Sequence, residues 1–327
     1  LWVMSGSRRA SQISADIRGL RRRGIEVVEA SVNGIAPQRQ RVSTSAGELS
    51  YDRLVVALGA ELAPKAVPGF GEGADDLYTL TGAESANRAL AGLERGRVAI
   101  LVSRLPYKCP AAPYEAAFLA EALLRRRGVR PDVEIDIYTP EALPLPTAGE
   151  DLGRAIAAML DARGIGFHPG RAIERVEEPA DYDVLIGAPP HRAPSVLAES
   201  GLAGPSGFVA VDRHSLETSI EGIHAIGDAT QIPLAGGKFM LPKAGVFAHA
   251  QAGVVAERVA CDLAGHEARA SFDGNGACFL ELGDGSAGYA SGDFYAEGAP
   301  QVRMRRPGRH WHLAKVALER QWMHRRL

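Results

Sequence analysis

Two apolar runs, each leading into a glycine, constrain the possible fold of this 327-residue chain more than any other feature of its sequence. The first run is YDRLVVALGA at residues 51–60, and the second is GIHAIGDAT at residues 222–230. Short apolar runs bounded by turn residues are typical of strands that are buried on both faces of a parallel sheet. The pattern therefore predicts an α/β fold in which both strands end at one edge of a sheet, and such edges are where α/β sheets bind ligands.

The helix and strand patterns around these runs predict two Rossmann-like dinucleotide-binding domains, one inserted into the other, with a small C-terminal region of a β-hairpin and a helix. The outer domain takes residues 1–80 and returns at residues 211–270, the inserted domain takes residues 81–210, and the C-terminal region takes residues 271–327. Within the first part, the pattern predicts a strand at residues 1–4, a helix at 11–23, a strand at 25–28 and a small β meander at 29–50.

The composition is that of a globular protein, with 46% hydrophobic and 23% charged residues. No apolar run approaches the roughly 20 residues that a membrane-spanning helix needs, and three cysteines without zinc-site spacing indicate neither a disulfide scaffold nor a metal site. We expect no nucleic-acid partner and a cytoplasmic or peripheral-membrane location.

The net charge of −2 is unevenly distributed along the chain. Residues 301–327 carry eight basic side chains and one acidic side chain, so the other 300 residues hold 29 basic against 38 acidic ones. The basic residues of this tail are Arg303, Arg305, Arg306, Arg309, Lys315, Arg320, Arg325 and Arg326. Such a tail is either a docking surface for an anionic partner, such as lipid headgroups or an acidic protein, or a solvated terminal helix.

The strand ends contain the candidate cofactor-binding residues. Ala57, Gly59 and Ala60 end the first run with small or absent side chains, which allows the backbone to approach another group closely. In the second run Gly227 does the same, and Asp228 could accept hydrogen bonds from a polyol hydroxyl.

In this order, the two runs resemble the second and last signatures of the pyridine nucleotide–disulfide oxidoreductases, and the resemblance covers nearly all of the chain. It implies that FAD is the cofactor, that residues 1–80 and 211–270 bind it, and that Asp228 binds its ribityl chain. A helix predicted to begin near Lys243 would point its positive end at the flavin, with Lys243 adding a full charge. The alternative is a surface lysine before a core helix.

One departure concerns the first signature of that family. The GxGxxG turn that holds the FAD pyrophosphate does not occur, so we expect the first βαβ unit of the flavin domain to be missing and this chain alone to bind FAD weakly or not at all. A second departure follows the inserted domain's first strand, RVAILVS, because no glycine occurs from Arg97 until Gly128. Three prolines there also remove amide donors, which argues against a nicotinamide site.

The segment YKCPAAPYEAAF stands at that place and resembles the corresponding segment of flavocytochrome c sulfide dehydrogenases and sulfide:quinone oxidoreductases. The resemblance implies that Cys109 is redox-active, with Cys278 as its partner. The alternative for the pair is two separate buried thiols. The helix start and the adjacent Lys108 predict a lowered pKa for the Cys109 thiol. Glu115 is a candidate proton acceptor or, alternatively, a helix N-terminal charge, and Cys261 is predicted to lie in the core.

These features favour an FAD enzyme that oxidises sulfide or a related thiol and reduces a quinone or a cytochrome. The last helix, with Trp311 and Trp322 among basic residues, could lie in a membrane interface, pack on the body or form a dimer contact. Two other functions stay open. One is an NAD(P)H-dependent flavoprotein reductase, and the other is a truncated, non-catalytic flavoprotein remnant.

Overall fold

The computed structural model describes residues 1–70, 74–176 and 181–325, without the side chains of residues 324 and 325. Arg326 and the Arg325 side chain of the basic tail therefore lie outside the described part. The helices are α1 (Leu80–Gly92), α2 (Ala112–Arg126), α3 (Glu150–Asp161), α4 (Ser195–Glu199), α5 (Gly245–Leu263) and α6 (Arg309–Arg325). The first strands are β1 (Val32–Ala36), β2 (Arg41–Thr44), β3 (Gly47–Ser50), β4 (Leu54–Val56), β5 (Glu61–Leu62), β6 (Asp75–Asp76), β7 (Gly96–Val102), β8 (Val133–Tyr138) and β9 (Ile165–His168). They are followed by β10 (Val184–Ala188), β11 (His191–Arg192), β12 (Val209–Ala210), β13 (Ile223–Ala225), β14 (Thr230–Gln231), β15 (Asn275–Gly283), β16 (Ser286–Asp293) and β17 (Gln301–Gly308).

A five-stranded parallel sheet, in the order β6–β10–β7–β8–β9, forms the centre of the molecule. Its middle strand β7 is fully buried from Val98 to Val102, because helices cover both faces of a parallel sheet. Helix α2 packs against β7 and β8 with almost all of its residues buried, including Tyr114 and Phe118. The chain thus has the predicted mixed α/β fold with a parallel sheet.

A second parallel contact joins the two apolar runs of the sequence. Strand β4 pairs with β13, with Leu54 opposite Ile223 and Val56 opposite Ala225. The backbone amide of Ile226 then donates to the Val56 carbonyl at 3.0 Å. Segments that are far apart in the sequence are therefore held side by side, with their carboxyl ends at the same edge. The division into one domain inserted in another, and the missing first βαβ unit, remain predictions.

The C-terminal region forms a three-stranded antiparallel sheet, β15–β16–β17, covered by α6. The predicted hairpin corresponds to β15 and β16, whereas the sequence pattern does not predict β17. This strand contains three arginines and a proline, and Val302 is its one β-branched residue, so its composition is unlike that of most strands. Helix α6 is anchored by Trp311, whose ring stacks on Tyr289 at 4.5 Å between centroids.

The N-terminal segment is the part of the fold that the sequence predicts wrongly. Residues 1–4 form a turn, residues 25–28 form no strand, and the predicted helix at residues 11–23 is two short 3₁₀ segments, Ala10–Gln12 and Ile17–Arg23. Short amphipathic helices depend on burying an apolar face, but Ile13 and Ile17 are 40% and 53% exposed. The β meander, by contrast, is confirmed as the antiparallel sheet β1–β2–β3.

We predict that Gly283→Ala weakens the packing of β15 on α2, the contact that positions the site. Gly283 has φ of +79°, and an added Cβ would lie 2.3 Å from the Ala122 Cβ. Gly265 is the matched control, because it has φ of +70° and nothing within 4 Å of the added atom. Chemical denaturation should show a loss of about 1–2 kcal/mol for Gly265→Ala and about 1–3 kcal/mol more for Gly283→Ala. Equal losses would show that the close approach to Ala122 does not matter.

Candidate active site

The Gly227–Asp228 loop follows β13 and is fixed from two sides. Gly227 has φ of +67°, and a Cβ at this position would lie 3.0 Å from the Ala248 Cβ on α5. The amide of Gly227 donates to Oε1 of the buried Gln251 at 2.7 Å. Glycine is therefore required both by the left-handed conformation and by the close contact with the helix.

The carboxylate of Asp228 makes no side-chain hydrogen bond within the described residues. Burial raises its pKa, an effect that the nearby ammonium groups of Lys243 and Lys108 oppose. A partly desolvated carboxylate without a donor lacks the hydrogen bonds it would have in water. It is therefore suited to accept hydrogen bonds from hydroxyl groups of a bound ligand.

The first run ends beside this loop. Gly59 has φ of +70°, and a Cβ added there would have nothing within 4 Å, so its conformation rather than crowding calls for glycine. Ala57 is exposed, and the carbonyl of the buried Ala60 accepts a hydrogen bond from Lys108 Nζ at 3.3 Å. The β4–β13 pairing thus brings together the strand ends that the sequence predicts as cofactor-binding.

The helix predicted to begin near Lys243 is present, and the role of Lys243 beside the flavin stays a prediction. Helix α5 begins at Gly245, so Lys243 lies before the helix. Its Nζ donates to the backbone carbonyls of Asp228 at 2.7 Å and Thr230 at 3.0 Å. Burial lowers the pKa of Lys243 to about 8, which the charge of Asp228 partly offsets. The ammonium group is therefore hydrogen-bonded to the backbone around Asp228.

Cys109 and Cys278 line one cavity of about 90 Å³, together with Pro110, Phe247 and Phe294. Cys109 lies in the turn before α2 with φ of +50°, and Cys278 lies on β15 opposite Ala290. Both are free thiols, and Cys109 is half-buried whereas Cys278 is exposed. The structure thus brings the two predicted redox residues to a common space, although 168 positions separate them in the sequence.

The prediction of a lowered pKa for the Cys109 thiol is wrong. Burial raises the pKa of Cys109 to about 12, with a further increase from the Glu115 carboxylate. Although part of Cys278 is exposed, desolvation by the surrounding protein raises its thiol pKa to about 11, again with a contribution from Glu115. The neighbouring Lys108 does not compensate for this rise in pKa, because its ammonium group is directed elsewhere. Its Nζ donates to the Ala60 carbonyl and lies 5.8 Å from the ring centroid of Tyr78. The increase in thiol pKa caused by desolvation is therefore larger than the decrease expected from the helix N-terminus.

A buried charge cluster connects both cysteine-bearing elements to α6. Oε1 of Glu115 accepts hydrogen bonds from Lys315 Nζ at 2.8 Å and from the Glu281 amide at 2.7 Å. Lys315 also lies 3.8 Å from Glu281 Oε1, and His312 Nδ1 lies 3.0 Å from Glu281 Oε2. Desolvation lowers the Lys315 pKa, but the two carboxylates, with Glu115 first, raise it overall. Glu115 is therefore more than a helix-terminal charge.

Sequence reasoning misses Lys315, Glu281 and Gln251. Their roles depend on contacts between distant segments, and no local motif contains them. The sequence spacing indicates no partner for His312, yet it contacts Glu281. Cys261, predicted to lie in the core, is only partly buried on α5. Among the described residues, no three histidine, cysteine, aspartate or glutamate side chains group in a way that could hold a metal ion.

Comparisons with known proteins agree with this fold. No protein-family model matches the chain. The mitochondrial sulfide:quinone oxidoreductase of Mus musculus is 25% identical over 324 residues, covering 91% of this chain and 70% of that enzyme. The crystal structure of sulfide:quinone oxidoreductase from Aquifex aeolicus superposes with a TM-score of 0.86 at 23% identity, covering 98% of this chain and 80% of that one. An FAD-dependent pyridine nucleotide–disulphide oxidoreductase from Desulfovibrio vulgaris superposes with a TM-score of 0.57 at 23% identity, covering 82% of this chain and 68% of that one.

These relatives support an FAD-dependent oxidoreductase, and in its fold the chain is similar to the pyridine nucleotide–disulfide oxidoreductases. Among these it resembles the sulfide:quinone oxidoreductases. Both statements confirm the resemblance identified in the sequence.

We predict that Glu115→Gln makes both cavity thiols more acidic, because the substitution removes the carboxylate that raises their pKa values and leaves Lys315 in place. The pH at which Cys109 and Cys278 are half-maximally alkylated by iodoacetamide should fall by about one pH unit. Mass spectrometry of the reduced protein resolves each cysteine separately. Cys261 on α5 is the internal reference, and its alkylation profile should be the same in both proteins. Unchanged profiles for all three would show that Glu115 does not act on the thiols.

Proposed function

We propose that the protein oxidises sulfide or a related thiol through Cys109 and Cys278 and passes the electrons through FAD to a quinone, with a cytochrome as the alternative acceptor. The observation that carries this proposal is the shared cavity of the two cysteines. The cavity also includes Pro242 and Ala244, which flank Lys243 and so lie next to the Asp228 loop. In this proposal the sulfur chemistry takes place next to the edge that would bind the flavin.

The sulfur chemistry starts from the oxidised, disulfide-bonded pair. Hydrosulfide attacks one sulfur, the cysteine–cysteine bond breaks, and a persulfide forms on one cysteine while the other leaves as a thiolate. A second thiol or sulfide nucleophile then removes the sulfane sulfur, which leaves both cysteines reduced. Reforming the disulfide releases two electrons and the protons of the two thiols. The net result is a two-electron oxidation of the sulfide sulfur.

FAD, when bound, supplies the two-electron acceptor for this reoxidation. The residues proposed to hold it are Asp228, through its unpaired carboxylate, and the backbone of Gly59, Ala60 and Gly227. Lys243 would act on FAD indirectly by holding the Asp228 loop. The positive φ of both glycines and the partly desolvated Asp228 fit such a ligand.

Glu115 is proposed as the proton acceptor for the cysteine thiols. Its carboxylate influences the pKa of both thiols, and it already accepts a hydrogen bond from Lys315. Because both thiols have raised pKa values, they need a base in order to react as thiolates. His312 lies at the outer end of the same cluster, through Glu281, and is partly exposed.

A larger cavity of about 370 Å³ offers the sulfur donor a way in. It shares Pro110, Thr147 and Pro242 with the cysteine cavity and is also lined by Lys238 and Lys243. The wall carries these two lysines against the one carboxyl group of Glu141, a balance that would favour an anionic donor such as hydrosulfide.

The nicotinamide-dependent alternative conflicts with the side chains at the carboxyl ends of β7 and β8. Open α/β sheets bind dinucleotides at this edge, but here Glu141 Oε2 accepts hydrogen bonds from Tyr107 at 2.9 Å and Tyr114 at 2.5 Å. These three buried side chains, and no glycine-rich turn, lie at this edge. A purified protein without flavin colour would favour the alternative of a truncated, non-catalytic flavoprotein remnant.

We predict that sulfide bleaches the visible flavin absorption of the FAD-loaded protein under anaerobic conditions, whereas NADH does not. Cys109→Ser and Cys278→Ser should each abolish the response to sulfide, because either substitution removes the disulfide. Cys261→Ser is the matched control and should respond like the wild type. Bleaching by NADH without a response to sulfide would favour the nicotinamide-dependent function. Bleaching by sulfide in both serine variants would contradict the cysteine mechanism.

We further propose that α6 brings the protein to a membrane surface, where a quinone would be available. One side of the helix packs on the body through Trp311, His312 and Lys315. Leu313 and Leu318 remain 65% and 49% exposed on the helix that also carries the exposed Arg309 and Arg320. Within the described part of the chain, no helix is long and apolar enough to span a bilayer. The proposed contact is therefore peripheral.

We predict that the protein floats with vesicles containing phosphatidylglycerol and that the double substitution Leu313→Glu, Leu318→Glu abolishes this. Exposed apolar side chains next to basic groups favour anionic interfaces. Leu263 at the end of α5 is 62% exposed, so Leu263→Glu provides a control away from α6 that should still float. The proposal fails if the control and the α6 variant lose binding equally, or if wild-type protein does not float.

A further inference from the structure

Lys243 makes contacts through both its side chain and its backbone. The side-chain Nζ donates to the carbonyls of Asp228 and Thr230, both in the loop that follows β13. The backbone carbonyl of Lys243 accepts a hydrogen bond from the Cys109 amide at 2.6 Å. One residue therefore contacts the loop assigned to FAD and the loop that contains a cavity thiol.

The side-chain and backbone contacts of Lys243 both restrain the segments that they join. The ammonium group makes charge-assisted hydrogen bonds, which are stronger than neutral ones. It also lies 3.4 Å from the ring centroid of the buried Phe208, a cation–π contact that fixes its lateral position. Cys109 has φ of +50°, a conformation that a non-glycine residue keeps only where its surroundings hold it.

Other contacts hold each loop separately. Gln251 holds the Gly227 amide from α5, and the Cys109 carbonyl accepts from the Ala112 amide at 2.8 Å at the start of α2. Neither of these contacts reaches the other loop. Lys243 contacts both.

We propose that Lys243 is a positioning residue that couples the Asp228 loop to the Cys109 turn and so fixes the place of the Cys109 sulfur relative to the flavin edge. The functional meaning of this coupling rests on the proposed function. The coupling itself is a property of the protein and is measurable without flavin or sulfide, so the two can fail independently.

Hydrogen–deuterium exchange of the full chain, followed by mass spectrometry, tests the coupling. Lys243→Met should speed exchange by about tenfold or more in two segments, residues 105–112 and residues 226–232. The second segment loses the Nζ hydrogen bonds directly, and the first is affected because the Lys243 backbone that accepts from the Cys109 amide is no longer held in place. Lys243→Arg should restore protection, since guanidinium can donate to the same two carbonyls. Gln251→Leu should speed exchange only in residues 226–232. Lys238→Met, at a nearby lysine that contacts the Phe239 ring, is the control and should change neither segment.

A second readout separates positioning from general destabilisation. Lys243→Met should raise the alkylation rate of Cys109 relative to that of Cys278, whose strand does not depend on Lys243. Equal acceleration at both thiols, or faster exchange in residues 226–232 alone, overturns the proposal. If Lys243→Met does not fold, the wild-type protein at low denaturant concentration decides the question. The two segments should then open together with the same denaturant dependence, and separate openings overturn the coupling.

Discussion

The parallel pairing of β4 with β13 is the contact on which the geometry of the site depends. Only three residue pairs form it, yet it places Gly59 and Ala60 beside Gly227 and Asp228. Because the strands run in the same direction, both loops emerge at one edge, which is where open α/β sheets bind ligands. An antiparallel pairing of the same strands would have separated the two loops by the length of the strands.

The contact between helix α2 and strand β15 brings the two thiols, which are distant in the sequence, to one cavity. Gly283 permits the close approach of β15 to Ala122 of α2, and Glu115 on α2 accepts the Glu281 amide of β15. The carboxylate is tolerable in this buried place because Lys315 neutralises it. The third element, α6, is therefore part of the site and not an appendage to it.

The sequence predicts the features that local patterns determine. Strands β7 and β8, helix α2 and the Asp228 loop follow from apolar runs, glycines and helix signals, and all are present. The ion pair of Lys315 could not be predicted, because its partner Glu115 is 200 positions away in the sequence. A single lysine on a basic helix is ordinarily expected to be exposed to solvent. The direction of the pKa shift of the Cys109 thiol is predicted wrongly for a related reason. Adjacent charges are visible in a sequence, but the burial that dominates at Cys109 depends on the tertiary packing of β15 and the loop before α5.

The raised thiol pKa values bear on the direction of electron flow. Dithiol proteins that are strong oxidants stabilise their reduced form, chiefly by stabilising a thiolate. Here burial and Glu115 destabilise the thiolate at both Cys109 and Cys278, so the reduced pair gains no such stabilisation. Under the proposed function the pair is a donor to flavin and not a strong oxidant, and the absence of a stabilised thiolate fits that role. The same protonated thiols would need a nearby base such as Glu115 to take up their protons as the disulfide reforms.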